Sequence, residues 1–555
     1  MSYERSRDGS HSVAKSLPQV CGDHAESSLM LKVLFPSQTA SGSDTALSPS
    51  SHDMNAQPMH QHHPAKARAA SLPWRIPGTL LLALNMLAVS QPVAAGEQAD
   101  RAVAAVRQLV ARGEVKPDAV LRLRAKQGNL VSLLGRDFAL QREWERQTGI
   151  TIDASVMPQL DSMEFIRNGV DIDLTVARTH EYADLSGSGL IVDLKPWLDR
   201  FGIELAGDAG NGYLQVAAQS RHGDKVVAIP ADLDIALLFL RRDMLEDPQH
   251  KARFRQQHGR ELAAPRTWAE YEQLVAFFDR PQDGFHGAGE PRERLTAWMY
   301  WMPRYLSTAA PQRLLFDDQM RPLIDSPAGI EATRSYAAVV RHSPPQVLED
   351  GRDFSYTLPL FVRGKSFSTI LTAATAKIAN RDDSGVKGKV IAVPMPGHMV
   401  NGRLVRRTSF IYGNNLVVPS NAPNKALAVL YALWLTDPDH SLRSVTANGI
   451  ADPYRQHHLR DESVRAMYTP QVIDLLAAEV PRAVPGGTGL PGDAEYLKAL
   501  NQNLWLAAAG RVTPAEAMQR TSREWEAITN RLGRTQQIAH WRAARKLYPS
   551  AEHQP

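Results

Sequence analysis

Between residues 119 and 177 the sequence alternates short strand-like runs with helix-patterned segments, a rhythm that leaves few folds open. Ala119-Val-Leu-Arg-Leu-Arg-Ala125 alternates apolar and polar side chains as a strand does. Residues 130–147 carry helical spacing and close on Arg-Gln-Thr-Gly149. A second strand over 150–157, a short helix over 161–168 and a third, mostly apolar strand over 170–177 follow. Strands joined through helices by short connections run parallel, and parallel sheets are buried on both faces. The expected class is therefore α/β, with helices flanking mainly parallel sheets.

The rest of the chain supports a multi-lobed protein of this class. Residues 225–230 and 235–242 are expected strands flanking Ala231-Asp-Leu-Asp234, and 389–394 and 415–419 are two more. Helices are expected over 98–112, 294–309, 328–342, 356–363, 422–435, 494–510 and 514–532. Thr267 followed by Glu270 is a capping box that starts another. At roughly 150 residues per domain, a chain of this length holds about two to four. Apolar residues at 43 % and charged residues at 22 % exclude disordered, collagen-like and polytopic membrane classes. A net charge of +4 spread over 555 residues is too weak a field to imply nucleic acid. The single cysteine, Cys21, excludes an intramolecular disulfide, a Cys-rich zinc site and a CxxC redox pair. No cofactor or metal site is expected.

Residues 66–95 read as an export signal. Lys66, Arg68 and Arg75 precede the apolar run Gly78–Val89, and Val93-Ala94-Ala95 offers small residues before a cut at Gly96. The competing reading is a membrane anchor, but twelve helical residues span only about 18 Å of a roughly 30 Å hydrocarbon layer. The signal sits behind residues 1–65, rich in Ser, His, Gln and Pro; translation is expected to start at Met54 or Met59. The +1 position is Gly96 rather than Cys, so no lipid anchor is available, and retention then requires a periplasm.

Sequence motifs of catalysis are missing. There is no Gly-x-Ser-x-Gly elbow and no HExxH pair, and the run Gly486-Gly-Thr-Gly-Leu-Pro-Gly492 lacks the Lys-Ser/Thr of a phosphate cradle. Asp171 and Asp173 are expected to cap the end of the third strand rather than to act as a catalytic pair.

Seven segments in a fixed order carry a family resemblance. They are Glu143-Trp-Glu-Arg-Gln-Thr-Gly-Ile-Thr-Ile152, Val170-Asp-Ile-Asp-Leu-Thr-Val176 with Ser188–Leu194, and Val227-Ala-Ile-Pro-Ala-Asp232 through Leu245. Pro265-Arg-Thr-Trp268, Phe361-Val-Arg-Gly-Lys365, Ser409–Pro419 with Asn424-Lys-Ala-Leu-Ala428, and Asn448–Pro453 complete the set. In this order the chain resembles the extracellular solute-binding proteins of ABC importers, in the maltose-binding-like class, over about 118–533. The resemblance implies a two-lobe periplasmic-binding-protein fold (type II), with crossover strands joining the lobes. It assigns 96–117 to an N-terminal helix, 118–235 plus 395–455 to lobe 1, 236–394 plus 456–533 to lobe 2, and 534–555 to a tail. It implies capture of a small polar solute by hinge closure, delivery to membrane permease subunits, and action as a monomer. A periplasmic sensor, or a binder of a cationic solute such as a polyamine, stays open.

Candidate ligand contacts follow from residue chemistry and from place. Arg178, Thr179 and His180 are polar residues just past a strand end, where open sheets bind ligands, although Thr179 also suits a helix cap. Asp232 and Asp234 lie in the crossover turn, fit to accept hydroxyls, to pair a cation or to hold the turn. Trp298, Tyr300 and Trp301 offer stacking rings or core, since 298 and 301 share one helix face. Tyr412 and Asn414 fall where the family presents a ring and backbone. Asn448, Asp452 and Arg455 lie in a loop that is hinge or rim in relatives. Few rings accompany these positions: relatives often have one after Phe361–Lys365, where this chain runs Ile370-Leu-Thr-Ala-Ala-Thr-Ala376. That favours a small polyol or monosaccharide over a long oligosaccharide.

Overall fold

Two four-stranded sheets organise the chain in the computed structural model, which describes residues 96–157, 162–169, 171–207, 210–409 and 413–549. The leader, the export signal and Tyr412 lie outside these residues. Helix α1 (Glu97–Ala111) is followed by β1 (Val120–Ala125), α2 (Gln127–Leu134), α3 (Ala139–Thr148), β2 (Thr151–Val156), β3 (Leu174–Ala177) and α4 (Tyr182–Gly187). Then come β4 (Leu237–Arg241), α5 (Trp268–Phe278), β5 (His286–Ala288), α6 (Ala297–Leu306), α7 (Pro327–Val340), α8 (Phe354–Val362), β6 (Ser366–Leu371), α9 (Ala374–Ala379) and β7 (Val390–Val393). The chain closes with β8 (Asn415–Val417), α10 (Lys425–Leu435), α11 (Asp493–Ala508), α12 (Pro514–Leu532) and α13 (Arg534–Ala544). Among the described residues no helix is long and apolar enough to cross a membrane.

The first sheet has the order β8-β3-β1-β2, with β1 parallel to β2 and β3 and only β8 antiparallel. Leu121, Leu123 and Ala125 of β1 are buried, as the alternation in that run requires. Against the sheet packs α10, every residue of which from Leu427 to Leu435 is buried, and α1 covers α10 with Ala102, Val106 and Leu109. Trp144 of α3 meets Tyr431 and Trp434 of α10 edge-on, at 5.1 and 5.5 Å between ring centroids. Asp173 accepts the backbone N–H of Asn424 at 2.6 Å and of Arg122 at 2.9 Å, so it ties β3 to the start of α10.

The second sheet, β5-β6-β4-β7, departs from the expected mainly parallel form. The fold class holds, but β4 runs antiparallel to both β6 and β7, and only β5 and β6 pair in parallel. β4 is the continuation of the chain as it leaves the first lobe, so the hinge sets its direction rather than a βαβ crossover. The helix expected over 130–147 is likewise two helices. Gly135, Asp137 and Phe138 have φ of 76°, 52° and 60°, and a left-handed backbone ends an α-helix.

Two stretches sit differently from their sequence assignment. Residues 397–406 form a hairpin whose Gly397 bridges Thr267 at the start of α5, and Met395 is in the second lobe's core, so the chain rejoins the first lobe only near 413–417. The segment after 533 includes α13, whose Trp541 is fully buried 5.5 Å from Phe316.

Candidate functional site

The chain passes between the lobes near 231–236, 409–415 and 448–456, and these passages bring three carboxyl groups to the floor between them. Asp232, Asp234 and Asp452 are 1 %, 4 % and 0 % exposed. The backbone N–H of Asp452 donates to Asp232 Oδ1 at 2.8 Å, and Asn414 Nδ2 donates to Asp232 Oδ2 at 3.1 Å. Gly413, at φ 53°, turns its N–H onto Asp234 Oδ2 at 3.3 Å in a conformation that a side chain would disfavour. Lys377 of α9 lies alongside, donating to the carbonyls of Val445 and Ala451 at 3.1 and 3.2 Å, with the Tyr468 ring 5.2 Å away.

The floor holds more acid than its one lysine balances. Burial pushes all three carboxyls above their usual range, and for Asp234 the charges of Asp232 and Asp452 add to it. Burial pulls Lys377 below the usual lysine range, against the attraction of Asp452. Asp234 and Asp452 face each other, and Asp452 also faces the Ala374 N–H and the Tyr468 hydroxyl, without the alignment of a strong hydrogen bond.

Past the ends of β1 and β3 the first lobe presents a polar rim. Lys126 follows β1 and Arg178 follows β3, and the pairing of Leu123 with Leu174 makes these strand ends neighbours. The Arg178 N–H donates to Glu181 Oε2 at 2.6 Å. Thr179 Oγ1 and His180 Nδ1 are enclosed without a partner. His180 meets Trp298 of α6 edge-on at 5.1 Å, a contact between the lobes. Burial holds His180 neutral, down to about 4, and draws Lys126 down to about 7 with help from the nearby Arg178 charge.

The glycine-rich run 486–492 closes the other side. A Cβ on Gly487 would lie 2.9 Å from the Cβ of His180 and 2.7 Å from Asp493 Oδ2, so only glycine permits this approach. Asp184 of α4 then accepts the N–H groups of Gly492 and Ala494 at 2.5 and 2.9 Å, capping α11 from the opposite lobe. Contacts between His180 and Trp298 and between Asp184 and the start of α11 thus join residues of the two lobes.

Solved structures share this architecture. Maltose-bound MalE3 of T. maritima is 19 % identical with a TM-score of 0.60, covering 74 % of this chain and 100 % of that one. An ABC transporter solute-binding protein of Agrobacterium radiobacter K84, in complex with ribitol, is 18 % identical with a TM-score of 0.61, covering 74 % and 98 %. One from Agrobacterium vitis S4 with bound D-mannitol is 15 % identical with a TM-score of 0.58, covering 75 % and 99 %. The family model of the bacterial extracellular solute-binding proteins matches residues 140–455, more than half the chain. The chain belongs to that family.

In this solute-binding protein, Arg178, Thr179 and His180 lie together on the rim, and Asp232, Asp234 and Asn414 lie together on the floor. Trp298 touches the rim through His180. Trp301 faces the second lobe's core instead: it is fully buried, its indole N–H donates to Thr333 Oγ1 at 2.8 Å, and it stacks on Tyr305. Tyr300 is also fully buried, with the Arg292 guanidinium 5.2 Å from its ring. Sequence reasoning missed Lys126, Glu181 and Lys377 and placed Asp452 only on a hinge loop. Lys126 carried a signal, since it immediately follows an expected strand; Lys377 carried none, because only folding brings it beneath residue 452.

Proposed function

We propose that this protein is the solute-capturing component of an ABC import system, exported to the periplasm, which closes on a small polar solute such as a sugar or polyol and hands it to a membrane permease. The observation that carries this reading is the convergence of Asp232, Asp234, Asn414 and Asp452 where the chain passes between the lobes. Carboxylates and amides of this kind accept the hydroxyls of a sugar or polyol. Capture by lobe closure makes and breaks no covalent bond. Neighbours of this fold that hold maltose, ribitol and mannitol support the ligand class. The same acidic floor also favours a second reading, a cationic amine such as a polyamine.

A thermal-shift screen of the purified exported protein against sugars, polyols, amino acids and polyamines tests this. A ligand at 100 times its Kd adds about 2.7 kcal/mol to stability and raises Tm visibly. Stabilisation by a sugar or polyol, lost on Asp232→Ala, supports the reading. Stabilisation by spermidine alone selects the amine, and no response from any member overturns both.

A further inference from the structure

We infer that the C-terminal segment 534–549 is a strap: it holds loop 486–492 in the shape on which the first lobe closes, and so sets how much of the protein is closed. This rests on the reading of capture by lobe closure and adds the element that tunes it.

The first lobe meets the second through that loop. Asp184 accepts the N–H groups of Gly492 and Ala494, and the Gly487 backbone approaches His180 too closely for a side chain to stand between them. Yet the loop has neither helix nor strand, and four of its seven residues are glycine. Glycine loses more backbone freedom on ordering than any other residue. A loop of this composition needs bracing from outside if it is to present two N–H groups to one carboxylate.

The C-terminal segment supplies that bracing from a fixed base. Trp541 of α13 is buried in the second lobe's core, Arg534 Nη1 donates to the Gln319 carbonyl at 2.8 Å, and Arg545 Nη1 pairs with Asp318 Oδ1 at 2.6 Å. From this base Gln537, itself buried, donates Nε2 to the Pro491 carbonyl at 2.9 Å. The Ala544 Cβ lies 3.3 Å from where a Cβ on Gly489 would stand. Burial, and then the charge of Asp493, hold the Tyr548 hydroxyl above the usual tyrosine range, and Asp493 Oδ1 in turn accepts the Thr488 N–H and Oγ1, both at 2.6 Å. Residues 488, 489 and 491 are thus each braced from α11 or from the segment after 533. The same segment borders the first lobe: burial, and then the charge of His540, hold His222 of the hairpin 221–226 below the usual histidine range.

Bracing of this kind lowers the cost of closure. A loop already ordered in the open form gives its N–H groups to Asp184 with no further loss of entropy, whereas a slack loop must be ordered at the moment the lobes meet. Losing the bond from Gln537 to Pro491 should therefore lower the closed-to-open ratio about fivefold, the worth of one ordinary hydrogen bond. A segment that served the second lobe's fold alone would lower stability and leave the ratio where it was.

Double electron–electron resonance on the purified exported protein, with no solute added, reads that ratio. Val156 ends β2 and Leu295 lies just before α6, and both are exposed, so spin labels on Val156→Cys and Leu295→Cys report the separation of the lobes. The chain's one cysteine, Cys21, precedes the expected cut, so no third label attaches. The parent should show a closed population, and Gln537→Met, which keeps the bulk and loses the donor, should lower the closed-to-open ratio about fivefold. Trp301→Ala, which weakens the second lobe's core, should leave the ratio unchanged. Hydrogen exchange of residues 179–187 in the first lobe should quicken in Gln537→Met and not in Trp301→Ala. Should Gln537→Met fail to fold, Arg545→Ala, which frees the outer end of the strap from Asp318, is measured in the same way. An unchanged ratio, an equal shift in Trp301→Ala, or a parent without a closed population overturns the strap. The solute panel is independent of these measurements: its failure removes the capture reading, whereas a solute that binds beside unchanged ratios removes the strap alone.

Discussion

Replacing Asp184 by Ala should loosen the closed form without unfolding either lobe. Its carboxylate accepts two N–H groups at the start of α11, at 2.5 and 2.9 Å, and so serves as a helix cap supplied from the other lobe. Two charge-assisted bonds suggest about 3–6 kcal/mol in gross terms. Desolvation takes back most of this: burial pushes the Asp184 carboxyl above its usual range, the amides of Ala494, Gly492 and Asp493 pull it back only in part, and Glu495 opposes them. The net value should therefore sit near that of an ordinary N-cap, about 1 kcal/mol. Under the proposed capture by lobe closure the open form lacks this cap, so the full amount falls on the open–closed equilibrium, which shifts about fivefold. A parent that is mostly closed without solute should show a larger radius of gyration by small-angle scattering on Asp184→Ala, and one that is mostly open a roughly fivefold weaker Kd for the identified solute by calorimetry. Asp184→Asn, which keeps an acceptor, should fall between them. Unchanged scattering and affinity, or a lowered Tm with affinity intact, would refute the argument by making Asp184 a residue of the fold rather than of closure.

Other substitutions separate core from cleft. Trp301→Ala should lower stability in urea by about 3–5 kcal/mol, because the ring is fully buried and bonded to Thr333, and should leave solute affinity alone. A changed affinity at equal stability would return Trp301 to the site. Glu290→Gln should cost about 3–5 kcal/mol, since Glu290 is the buried partner of Arg292 and Arg304 and also accepts from Tyr271. Stability within 1 kcal/mol of the parent would show that the two guanidinium groups find other partners. The acidic floor gives a pH dependence. Folding raises Asp232 to about 6 and Asp452 to about 7, so the folded chain binds more protons than the unfolded one above the ordinary aspartate range. The stability this contributes is complete below pH about 4 and lost by about 7, so Tm should fall across that window, less steeply in Asp452→Asn. Equal slopes in the two proteins would contradict the placement of these groups.

Local chemistry was enough for the strand–helix rhythm, the capping box at Thr267 and the α/β class, because periodicity and caps are properties of neighbouring residues. It also offered residues 178–180, 232, 234 and 414 as candidates, since polar residues past strand ends and in crossover turns stand out from apolar surroundings. Register, strand direction and long-range neighbours are decided by packing. The antiparallel course of β4 comes from the hinge, and the return of residues 397–406 to the second lobe comes from a bridge to Thr267 far back in the chain. The glycine-rich run at 486–492, meaningless as a phosphate motif, acquired its sense only when folding set Gly487 against His180. Lys377 and Asp452 meet beneath the cleft from positions 75 residues apart, and Trp298 differs from Trp301 only in what lies opposite each on the same buried helix. A sequence names the groups a site has available; which of them share a low-dielectric space, and so which charges must find partners, is settled by the three-dimensional packing alone.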